Sequence, residues 1–92
     1  MLTDNAFIVA QRLREQVGSD INGVGLDNQQ LCTLFDNFDS NELRDALNEL
    51  AQIGFIRLDE GMPASAAGIP KALRNIAGVG VMEPMQVYFD GQ

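Results

Sequence analysis

Between Asp4 and Val17 the apolar residues Phe7, Ala10, Leu13 and Val17 recur at three- and four-residue steps. Gln11, Arg12, Glu15 and Gln16 fall mostly opposite, so the spacing predicts an amphipathic helix behind a Thr3 or Asp4 cap. Gly18 stops it, and GSDINGVG is a loop of turn formers, with a short extended piece around Val24–Leu26. Asp27 with Gln30 is a capping pair that opens a second helix through Phe35, turning Leu31, Leu34 and Phe35 inward. Asp36-Asn37-Phe38 makes a tight connection, and Asp39 with Glu42 repeats the cap for a third helix. With Asn41 at zero and about 100° per residue, Leu43, Ala46, Leu47, Leu50 and Ile53 share one side of that helix. Asn41, Glu42, Asp45, Asn48, Glu49 and Gln52 share the other.

Gly54 ends the third helix, and the rhythm then changes. Phe55-Ile56-Arg57-Leu58-Asp59 alternates like a strand, with Glu60-Gly61 as its turn. The returning strand is expected at Met85–Asp90, MQVYFD. Residues 62–84 between them are too long for an ordinary hairpin loop. Pro70 there suits the first position of a short helix over 70–77, ended by Gly78, with Ile69, Leu73 and Ile76 as its apolar stripe. No internal repeat is visible.

These residues together carry a resemblance. LDNQQLCTLFDNFDSNELRDALNELAQIGFIRLDEG, residues 26–61, with VYFD as a second wing strand, resembles a winged helix-turn-helix domain. The resemblance implies a single α+β domain over 1–92: a three-helix core, a small antiparallel β-hairpin wing, and an enlarged wing insertion at 62–84. It implies little about function, because such folds carry DNA binders, protein-binding modules and dimerisation modules alike.

Composition bounds the chemistry. The 92 residues are 46% hydrophobic, enough for one core, and include one cysteine and no histidine. Internal disulfides, histidine-dependent triads and the usual zinc patterns are thereby excluded. MLTDNAFIVAQRLR lacks the basic head of a signal peptide and AFIVA is too short for its apolar run. No window is long and apolar enough to span a bilayer, so cytoplasmic residence is expected. The net charge is −7, and residues 18–61 hold all of that imbalance, with nine carboxylates against Arg44 and Arg57. Residues 1–17 and 62–92 are each balanced.

That location bears directly on the third helix. In winged-helix proteins that bind DNA, the matching helix enters the major groove, which here would present Asn41, Arg44, Asn48 and Gln52. Arg57, Lys71 and Arg74 would then form a basic wing. Glu42, Asp45 and Glu49 oppose this, because duplex affinity comes largely from neutralising phosphate. Their plainest reading is a solvated helix face; a protein partner with a basic patch comes next, and DNA third. Carboxylates on one straight helix diverge, so no metal is expected there. Gly23-Val24-Gly25 lacks the further residues of a phosphate loop, Cys32 reads as a semi-buried thiol, and Asp36 and Asp39 belong to a turn and a cap.

The expectation is therefore a small, acidic, non-enzymatic protein–protein interaction module in regulation or assembly, including that of nucleic-acid machinery, with no cofactor or small-molecule ligand. Its contact surface would be Glu42, Asp45 and Glu49, or an exposed apolar insertion comprising Ile69, Leu73, Val79, Val81 and Met82, which also offers a route to a homodimer. The second reading is a DNA-binding transcriptional regulator. The third is a phage-type inhibitor that fills the basic groove of a nucleic-acid enzyme.

Overall fold

The computed structural model describes residues 2–17, 25–62 and 68–90. Helix α1 is Asp4–Val17, and its Thr3 cap accepts a hydrogen bond from the Ala6 N–H at 3.3 Å. Ala6, Val9, Ala10, Leu13 and Val17 form its buried stripe, while Phe7 is only half-buried. Much of the expected GSDINGVG loop lies outside the described residues. Strand β1 follows at Gly25–Asp27 and runs directly into α2, Asn28–Leu34. Asp27 and Gln30 exchange the two bonds of the expected capping box, at 2.8 and 2.9 Å, satisfying two backbone donors that a helix start otherwise leaves open.

Helix α3, Ser40–Gln52, is capped by the Asp39 carboxylate, which accepts from the N–H groups of Asn41 and Glu42 at 3.1 Å. Leu43, Ala46, Leu47 and Leu50 are buried as their spacing predicts. Ile53, expected on that face, is 48% exposed instead. It lies past the last helical residue, where the chain turns through Gly54 at φ 86°, so the helical phase no longer aims it inward. Strand β2 is Ile56–Glu60.

The returning strand is not MQVYFD. Strand β3 is Ile76–Val81, antiparallel to both neighbours in a three-stranded sheet of order β1-β3-β2. The register places Leu26, Val79 and Leu58 across from one another on one face, and Asp27, Gly78 and Asp59 on the other. A central strand has neighbours on both edges, and IAGVGV provides small and β-branched residues for that position. Gly78 is required there: a Cβ would lie 2.5 Å from the Leu26 carbonyl oxygen. The expected helix over 70–77 shrinks to one 3-10 turn, Lys71–Leu73, and Gly78 belongs to the sheet rather than to a helix end.

MQVYFD instead lies in helix α4, Glu83–Asp90. Pro84 in the first turn needs no intrahelical N–H partner. Met85 is fully buried, and Phe89, four residues on, brings its ring centroid to 5.9 Å from that of Phe7 on α1. Tyr88 bridges Phe89 and Phe55, at 5.1 Å from each.

The fold is thus α+β, with four helices and one three-stranded sheet among the described residues. Asn28 locks the return of the chain to the helices. It is buried, and its Nδ2 donates to the carbonyls of Leu73 at 2.9 Å and Ile76 at 2.7 Å. Its Oδ1 accepts from the Cys32 thiol at 3.4 Å. Burial raises the pKa of that thiol, so Cys32 is less readily ionised than a free cysteine.

Candidate interaction surface

The outer side of α3 divides into two flanks of opposite chemistry. On one, Glu49 and Glu42 turn toward the start of α1. Glu49 Oε2 accepts the Thr3 N–H at 2.9 Å and Glu49 Oε1 accepts the Thr3 hydroxyl at 3.1 Å. Glu42 Oε2 accepts from Asn5 Nδ2 at 3.3 Å. Two of the three carboxylates proposed for partner contact thus already hold α1 against α3. Asp45 remains outward, 3.4 Å from the Arg44 guanidinium in a solvated pair.

On the opposite flank, Ser40, Asn41 and Arg44 face Lys71, Ala72 and Asn75 across an open groove of ≈ 490 Å³. Asn48 and Gln52 continue the exposed ridge of α3. Of the residues considered for nucleic acid, Asn41, Arg44 and Lys71 therefore converge, and Arg57 and Arg74 do not line this groove. Arg57 lies across Gly80 and donates to Asp59 at 2.8 Å. That bond and the Asp59 charge raise the Arg57 pKa, keeping it protonated. Arg74 donates from Nε to the Ile69 carbonyl at 3.0 Å.

The five apolar residues expected to form an exposed surface do not form one. Leu73, Val79 and Val81 are buried in the core and Ile69 packs half-buried against it, because 76–81 is the middle of the sheet. Of the five, Met82 alone is exposed. Exposed apolar side chains also stand near the end of α3 and along α4, at Ile53, Val87 and Tyr88. Met82 donates its N–H to the Phe55 carbonyl, and Phe55 contacts Tyr88, which joins the end of α3 to α4. A helical reading of Met85 and Phe89 at four-residue spacing was the available signal for α4, whose buried side they form.

No described helix is long and apolar enough to cross a membrane. Comparison of the chain with family models, curated proteins and solved structures finds no match.

Proposed function

We propose that this chain is a winged-helix protein that acts as a protein–protein interaction module in regulation or assembly, using α3 against a partner with a cationic surface. The element order α1-β1-α2-α3-β2-β3 and the sheet order β1-β3-β2 support the winged-helix reading. The single observation behind the function is the pinned acidic flank of α3. Glu42 and Glu49 are held by Asn5 and Thr3, so their charges are fixed before any partner arrives. A fixed carboxylate loses little side-chain freedom on docking, and such a flank steers a cationic surface and repels phosphate. Asp45, beside them, adds a carboxylate that is free to leave its solvated pair with Arg44.

DNA binding is the second reading, favoured by the shared groove of Asn41, Arg44 and Lys71. One titration separates the two. A lysine-rich peptide and a mixed-sequence duplex are added in turn to labelled protein at low salt, with backbone amides followed by NMR. The leading reading expects the peptide to perturb Glu42, Asp45 and Glu49 saturably, and the charge reversals Glu42→Lys and Asp45→Lys to abolish this. A duplex that binds below micromolar protein with a steep salt dependence replaces it with the second reading.

A further inference from the structure

We infer that the groove between α3 and the Lys71–Leu73 turn is a binding site for a phosphomonoester group, the dianionic phosphate of a small molecule. The inference does not depend on the proposed partner, because it rests on the flank of α3 away from Glu42 and Glu49. Six residues line the groove: Ser40, Asn41 and Arg44 from α3, and Lys71, Ala72 and Asn75 from the segment entering β3. In a chain of 13 carboxylates and 6 cations, this lining holds two cations and no acid.

The donor set suits one phosphoryl group. Arg44 offers a planar fork for two oxygens, Lys71 a point charge, and Ser40, Asn41 and Asn75 neutral donors for what remains. Two positive charges match a phosphate dianion, whereas a carboxylate would leave one cation and several donors unused. Neither nearby acid blocks the site. The Asp39 carboxylate is occupied by the Asn41 and Glu42 N–H groups, and Asp45 meets Arg44 only in an exposed pair at 3.4 Å. The Lys71 side chain makes no hydrogen bond or ion pair among the described residues. The volume of ≈ 490 Å³ falls within the range of roughly 300–1,000 Å³ usual for small-ligand sites, leaving room for a body beyond the phosphate.

The test titrates the full chain with inorganic phosphate, with adenosine monophosphate and with a short duplex of matched phosphate content, reading the Asn41 and Asn75 side-chain amides by NMR. Saturable shifts confined to 40–44 and 71–75 are expected, with dissociation constants on the order of 1 mM or tighter. Arg44→Gln and Lys71→Gln should each weaken binding about tenfold, and Arg57→Gln should leave it unchanged. Tighter binding of the monophosphate than of inorganic phosphate supports a ligand whose body fills the groove; equal binding supports the phosphoryl group as the whole determinant. Non-saturating shifts, indifference to Lys71→Gln, or a duplex that binds more tightly than either monoester would overturn the inference.

Discussion

The Glu49 carboxylate receives both the backbone N–H and the hydroxyl of Thr3, at 2.9 and 3.1 Å. One side chain in the middle of α3 therefore closes the start of α1, 46 residues away in sequence. Glu49→Ala removes both acceptors and leaves the cap donors to solvent. A loss of about 1 kcal/mol is expected by urea denaturation, since the site is only half-buried. Faster amide exchange at Thr3–Phe7, with the rest of α1 protected, would locate the effect. A double-mutant cycle with Thr3→Ala should be non-additive only by the hydroxyl bond the two changes share, because alanine keeps the backbone N–H that Glu49 Oε2 accepts.

Asn28 gives a larger effect for a different reason. Asn28→Ala leaves the buried carbonyls of Leu73 and Ile76 without their donor, at a cost of about 1–3 kcal/mol. Asn28→Asp should be worse than Asn28→Ala at neutral pH, because it sets a carboxylate against two carbonyl oxygens. Chemical denaturation of the two variants checks the order.

Two glycines of β3 separate by what their missing Cβ would meet. Gly78→Ala drives a methyl against the Leu26 backbone oxygen and should disrupt β1–β3 pairing, with a loss of more than about 2 kcal/mol. Gly80→Ala meets the end of the Arg57 side chain at 2.9 Å, which can swing aside. Its expected cost is below about 1 kcal/mol, and thermal melts of the pair distinguish backbone collision from side-chain adjustment.

The parts of this fold legible in the sequence were those specified locally. The capping pair Asp27–Gln30, the Asp39 cap and the Leu43–Leu47–Leu50 spacing each need only their own neighbours, and each is found in place. β3 was hidden because a central strand with glycine at alternate positions shows no polar alternation. MQVYFD was ambiguous because six residues fit a period of two nearly as well as 3.6. Asn28 acts on carbonyls 45 and 48 residues away, and Lys71 meets Arg44 only once the sheet is closed. Non-local pairings of that kind leave no mark on composition or period.

The burial of Leu73 carries a consequence for partner binding. At 3% exposure it belongs to the core, so Leu73→Asp should unfold the protein and not merely dissociate an assembly. Loss of amide dispersion in the NMR spectrum and of the thermal transition is expected. A folded Leu73→Asp protein with altered hydrodynamic size would restore this segment as a contact surface.

We propose that the pinned acidic flank of α3 makes this chain a partner for cationic protein surfaces and not for duplex phosphate. The most direct measurement is a low-salt mobility-shift titration with mixed-sequence duplex, run on the natural chain and on Glu42→Lys/Asp45→Lys. No shift of the duplex by the natural chain is expected below micromolar protein, and a salt-sensitive shift is expected once the two charges are reversed. A steep, salt-dependent shift by the natural chain itself would contradict it.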